Sequence, residues 1–206
     1  RRQKNKLERR FSGNLAYCQI QSVHSQIKMK KLNIVGIILI LLFLGSLTIH
    51  SLNSINQDIG RHLKSGQIIW ETKQVYKTNL FSFTEPEHPF VNHHWLSEVV
   101  FFLLYGLVGL KGLIIFKAAV ILSAFGLVFS AVYKKTGAWP LIFSSFVAIP
   151  VLIYRSDVRP EIFSYLFLSF FLFAIFRAKY SQEYKWLYAL PFIQILWTNM
   201  HIYFAL

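Results

Sequence analysis

A chain of 206 residues with 54% hydrophobic and 17% aromatic residues, but only 15% charged ones, is too oily for a soluble domain; this composition predicts a polytopic membrane protein. The net charge of +13 would suit a nucleic-acid binder until it is divided: nine Lys or Arg against Glu8 lie within residues 1–31, and the rest of the chain carries +5. Those remaining charges sit mostly at the ends of apolar runs, where basic residues orient spans, so nucleic acid is excluded as a partner. The single Cys18 forms no intramolecular disulfide and says nothing about compartment.

Residues 1–28 have no apolar periodicity, and Met29-Lys30-Lys31 ahead of an apolar run has the form of a bacterial start. Residues 1–31 are expected to be a basic tail, either not native before Met29 or a basic cytoplasmic arm; residues 32–206 are expected to be a transmembrane domain. From Ile34 to Ile49 the chain is apolar for 16 residues behind Lys28, Lys30 and Lys31. This predicts a first span entering from the cytoplasm. No small-x-small cleavage site follows in Ser46-Leu47-Thr48-Ile49-His50, so the run reads as an uncleaved anchor.

The interval 51–94 is the long polar stretch of the chain, expected as a first extracytoplasmic loop carrying interfacial helices. Its segment Asp58–Ile69 places Asp58 and His62 one turn apart if helical, so that His62 can touch a carboxylate acting as general base. Asp58 as an early-turn residue favoured by the helix dipole is the plainer alternative. A turn-rich aromatic segment follows, from Tyr76 to Phe90, suited to sugar or lipid headgroups or simply to packing on the membrane surface. His93, His94 and Glu98 invite a metal reading, but adjacent histidines are not a familiar chelating spacing. No metal ligand is assigned, and a divalent cation held by Asp58 and outer carboxylates is left open.

Beyond the loop the apolar blocks are Trp95–Leu110, Leu113–Tyr133, Trp139–Tyr154, Ile162–Phe176 and Trp186–Leu206. Helices are expected throughout, because a segment in lipid must satisfy its own backbone hydrogen bonds. At 16 residues Trp95–Leu110 is short against the roughly 20 needed for a span, and reading it as a re-entrant or interfacial helix on the outer side places Lys134, Lys135, Arg177, Lys179 and Lys185 inside. Asp58, Arg155, Asp157, Arg159, Glu161, Asn199 and His201 then converge on the outer face. Such a polar set at a membrane is a site hypothesis; solvated loop ends are the plainer one.

The order of motifs carries a resemblance. A first span is followed by Asp58-x-x-x-His62-Leu63-x-x-Gly66, then Thr78-x-x-Phe81-Ser82-x-Thr84, then His94-Trp95-Leu96-x-Glu98. Arg159-Pro160-Glu161-x-Phe163-Ser164 and Leu190-Pro191 leading to Trp197-x-Asn199-x-His201 come later. Residues 30–206 thereby resemble the amino-terminal half of bacterial polytopic glycosyltransferases of the C fold type, the GT-C superfamily related to protein mannosyltransferases and lipid A aminoarabinose transferases. The chain departs from that pattern with Asn79-Leu80-Phe81-Ser82 where Asp-Pro-Phe-Ser is frequent, and in stopping at Leu206, ahead of later spans; a fragment inactive by itself is the corresponding expectation.

What the resemblance implies is an enzyme of the bacterial inner membrane with its active face outside. It would move a sugar from a polyprenyl-phosphate donor to a lipid, glycan or protein acceptor. Asp58 matches the acidic residue of the first outer loop and would be the base, with His62 beside it. Arg155 and Arg159 would neutralise the leaving phosphate, provided that Trp95–Leu110 does not cross the bilayer. Asn199, His201 and Trp95 would contact sugar or acceptor. Two other classes stay open: a lipid or solute transporter or flippase with Lys117, Gln194 and Asn199 along a polar path, and a non-catalytic membrane assembly subunit.

Overall fold

The computed structural model describes residues 29–49, 58–154 and 157–202, and these are almost wholly helical. Helix α1 covers Met29–Ile49, α2 Asp58–Thr72, α3 Trp95–Thr136, α4 Ala138–Tyr154 and α5 Glu161–Ser181; a 3₁₀ segment, Tyr184–Ala189, leads into α6, Leu190–Met200. Helices α1, α3 and α5 are long and apolar enough to cross a membrane, while α4 is a shorter apolar helix. Hydroxyls along these helices turn back on the backbone, as Thr48 does to Gly45 at 2.9 Å and Ser145 to Leu141 at 2.7 Å, which spares them an unpaired donor among apolar neighbours.

The expected blocks Trp95–Leu110 and Leu113–Tyr133 are two helical arms that meet at a kink, with no loop between them. The kink lies at Gly109, whose backbone angles of φ 66° and ψ −169° are open to glycine and strained for any other residue. The arm 95–108 before this break is about 21 Å long and the arm after it about 40 Å, at 1.5 Å per residue. The second arm alone exceeds the hydrocarbon thickness of a bilayer.

Two boundaries differ from the sequence reading. Helix α5 runs on through Arg177 to Ser181, where Gln182 in the left-handed conformation ends it. The last block is divided into the 3₁₀ turn and α6, with Pro191 in the first turn, where its fixed φ and missing N–H suit a helix start. The turn between α5 and α6 is held by Arg177 Nη1 on Glu183 Oε1 at 2.9 Å and by Trp186 Nε1 donating to Glu183 Oε2 at 3.2 Å.

Two apolar clusters order the helices. One joins α2, the upper parts of α3 and α5, and α6 through Ile59, Phe101, Leu113, Ile162, Phe163 and Trp197; the other joins α1, the long arm of α3, and α4 through Ile40, Leu44, Ile121, Phe129, Leu141 and Ile149. Rings interlock in the first cluster, with Phe101 stacked on Phe163 at 5.6 Å and Phe163 on Phe167 at 6.4 Å. Between α2 and α3 the segment 73–94 is tied as a short finger by the bridge of Thr78 with Pro89 and by Tyr76 stacked on Phe90 at 5.9 Å. Phe83 stands fully exposed at its tip.

Candidate functional site

The start of α2, the start of α3, the corner ahead of α5 and the end of α6 meet at one end of the bundle. Helix α2 begins at Asp58 with its carboxylate in the first turn, where the helix dipole favours negative charge. Its buried stripe of Ile59, His62, Ser65, Gly66 and Ile69 follows helical spacing and faces α3. The two helices touch closely at Gly66: a Cβ there would lie 2.1 Å from the Glu98 carbonyl oxygen and 2.8 Å from Phe102 Cβ. Only glycine permits this approach.

That contact brings His62 to Glu98. Their side chains are 3% and 0% exposed, and His62 Nδ1 lies 2.9 Å from Glu98 Oε1. Asn92 Nδ2 donates to the other carboxylate oxygen, Oε2, at 2.6 Å, and Asn92 Oδ1 accepts the His94 N–H at 3.0 Å. The carboxylate thus has a donor on each oxygen, and a proton on His62 Nδ1 leaves Nε2 as the ring's acceptor. The spacing that lets His62 touch Asp58 is not used in this way: His62 turns to Glu98, 36 residues further on.

His94 stacks on His62 with ring centroids 6.1 Å apart and meets His201 edge-on at 5.3 Å. Burial, followed by the neighbouring His62, pulls the His94 pKa down to about 4, so this ring is neutral at physiological pH. The buried His201 Nδ1 lies 2.8 Å from Ser164 Oγ, which accepts the Trp197 Nε1–H at 2.8 Å. Trp197 being a donor only, Ser164 keeps its own proton available for His201. His93, by contrast, is exposed. Among the described residues no three His, Cys, Asp or Glu side chains are grouped to hold a metal ion.

Asp58 finds its partner on the far connector. Arg159 Nη2 is 3.2 Å from Asp58 Oδ2, and Arg159 Nε is 3.8 Å from Asp157 Oδ2. Arg159 Nε is buried without a hydrogen-bond acceptor, so the guanidinium holds a donor in reserve. Trp95 and Asn199 are also brought together, the indole Nε1 donating to Asn199 Oδ1 at 2.9 Å while Asn199 Nδ2 donates to the Ile195 carbonyl at 2.7 Å. Arg155 lies outside the described residues. Of the remaining residues singled out from sequence, Asp58 joins Arg159, Trp95 joins Asn199, and His62 and His201 flank His94.

Sequence reasoning passed over Asn92, Ser164 and Trp197 as partners, and took Glu98 only as a weak metal candidate. A carboxylate in the first turn of an otherwise apolar helix was the available signal for Glu98, since such a group is costly without donors. No protein family, curated protein or solved structure matches this chain.

Proposed function

We propose that this chain belongs to a multi-pass membrane glycosyltransferase that takes sugar from a polyprenyl-phosphate donor to a lipid, glycan or protein acceptor on the extracytoplasmic face. In this reading α1, the long arm of α3, α4, α5 and α6 lie in the bilayer. The arm 95–108 and α2 lie at the outer interface. The supporting observation is the pairing of Asp58, from the first polar interval, with Arg159, from the connector ahead of α5. It places an accepting carboxylate beside a cation with an unpaired donor at the end where the buried histidines gather.

The chemistry follows from those two charges. Asp58 takes the proton of the acceptor hydroxyl as its oxygen attacks the anomeric carbon, and the bond from that carbon to the phosphate oxygen breaks. Arg159 swings part of its charge from Asp58 to the phosphate, where negative charge develops. His62, His201 and Asn199, each already fixed by a neighbour, shape the wall on which sugar or acceptor is oriented. A transporter would need polar groups reaching both faces, whereas among the described residues the buried His, Asn and Glu side chains cluster at one end.

The test uses the full-length protein in membranes with a labelled polyprenyl-phosphate sugar, comparing wild type with Asp58→Asn. A positioned base is worth about 10²- to 10⁴-fold, so transfer in the variant is expected to fall by that much. Undiminished transfer removes Asp58 as the base.

A further inference from the structure

His94 lies between two histidines that already have partners, and its own ring has none. The backbone of His94 is pinned from three sides: its N–H goes to Asn92 Oδ1 at 3.0 Å, and its carbonyl accepts Ser97 Oγ at 2.7 Å and the Glu98 N–H at 3.0 Å. As the residue ahead of α3 it is placed to cap that helix with its side chain, and it makes no such bond. The ring is held instead by its neighbours, stacked on His62 at 6.1 Å and edge-on to His201 at 5.3 Å. His62 is fixed by Glu98 and His201 by Ser164, so both walls of this slot are anchored in turn.

The two ring nitrogens of His94 have no hydrogen-bond partner among the described residues, although the ring is half-buried. Neither is sealed off, since the buried side-chain nitrogens left without a partner among the described residues belong to Arg159 and Arg177. Packing alone does not need those nitrogens; a phenyl ring would fill the same slot. Burial and the adjacent His62 keep the ring neutral, so that one nitrogen donates and the other accepts. A ring without charge is a poor match for a phosphate, which Arg159 suits better, and a good match for a hydroxyl, which also donates and accepts. Of the two ligands in the proposed reaction, the sugar brings several hydroxyls whatever the acceptor.

We propose that His94 is a substrate-contacting residue whose free ring nitrogens hydrogen-bond a hydroxyl of the sugar on the polyprenyl-phosphate donor. This rests on the function proposed above and leaves Asp58 as the base. The slot between His62 and His201 sets the ring's direction before the donor arrives, so little freedom is lost when the bond forms.

The experiment labels histidines with diethyl pyrocarbonate, which acylates an accessible neutral imidazole, on the full-length protein in lipid nanodiscs, with mass spectrometry as readout. A His93→Gln background removes the adjacent exposed ring, and the exposed His88 serves as the internal control. His94 is expected to react, while His62 and His201, each 3% exposed, react about tenfold more slowly or less because they are reached only when the structure opens. An inert His94 overturns the proposal. A panel of polyprenyl-phosphate hexoses and pentoses is then added without acceptor. The member that wild type transfers, at about ten times its Kd, is expected to slow labelling of His94 about tenfold and to leave His88 unchanged. Polyprenyl phosphate without sugar is expected to give no protection; equal protection by it, or none by the transferred donor, overturns the proposal. His94→Phe keeps the ring in its slot without the nitrogens and is expected to raise KM for that donor about two- to tenfold, whereas His94→Gln, with a donor and an acceptor, recovers most of it. An unchanged donor KM in His94→Phe assigns the ring to packing or to the acceptor and overturns the sugar contact. If no member of the panel is transferred, the proposed function falls and this contact with it, whereas transfer without protection at His94 removes the contact alone.

Discussion

His62 and Glu98 sit 36 residues apart and meet through a 2.9 Å contact in which neither side chain is accessible. This pair, with Asn92 on the other carboxylate oxygen, joins the polar interval to the apolar helices. Truncating Glu98→Ala leaves His62 and Asn92 buried without an acceptor, at about 1–3 kcal/mol for each. The expected outcome is a thermal midpoint in detergent lowered by several degrees, together with faster amide exchange in α2. A variant with unchanged exchange in α2 contradicts the joining role.

Gly66 is what makes the pair possible. Because an added Cβ meets the Glu98 backbone oxygen at 2.1 Å, and backbone cannot swing aside as a side-chain tip does, Gly66→Ala must push α2 away from α3. Destabilisation of about 1–3 kcal/mol or more is expected. Cysteine pairs bridging the two helices would cross-link in wild type and lose that cross-link in Gly66→Ala.

Gly109 governs the direction of the arm 95–108. At φ 66° and ψ −169°, alanine is strained by about 1–3 kcal/mol, so Gly109→Ala favours a straight helix through this point. A spin-label distance between the exposed positions 103 and 123 is expected to lengthen in the variant, and an unchanged distance shows that packing alone holds the bend.

The depressed pKa of His94 has a defined consequence for acid stability. The folded ring titrates near 4 and an unfolded one near 6.5, so the unfolded state binds the extra proton first. Above pH 6.5 the group adds no dependence; between 6.5 and about 4 stability is lost as pH falls, and below about 4 the loss levels off. His94→Gln, which does not titrate, is expected to lose less of its thermal midpoint than wild type between pH 7.5 and 4.5. Parallel curves would assign the acid sensitivity elsewhere.

The orientation in the bilayer has a direct test. In a Cys18→Ser background, Phe83→Cys at the exposed finger tip is expected to react with an impermeant thiol reagent on intact cells, and Lys134→Cys is expected to be silent. Labelling at position 134 reverses the proposed topology and with it the outer placement of Arg159.

Much of the frame is readable in the amino-acid order. Apolar runs predict helices because local composition and backbone satisfaction are enough to decide them, and the kink at Gly109 falls one residue from the end of the block Trp95–Leu110 read from the sequence. The helical spacing of Ile59, His62, Gly66 and Ile69 likewise marks one face of α2. Partners are another matter. Asp58 is one turn from His62, yet the tertiary structure gives Asp58 to Arg159 and His62 to Glu98, since α2 rolls its buried stripe onto α3 while Asp58 stays at the rim. The pairing of Trp95 with Asn199 spans 104 positions and depends on where α6 ends against the start of α3. Spacing along one helix settles which side chains share a face; which distant polar group satisfies each of them depends on how closely the helices pack, and no local pattern contains that.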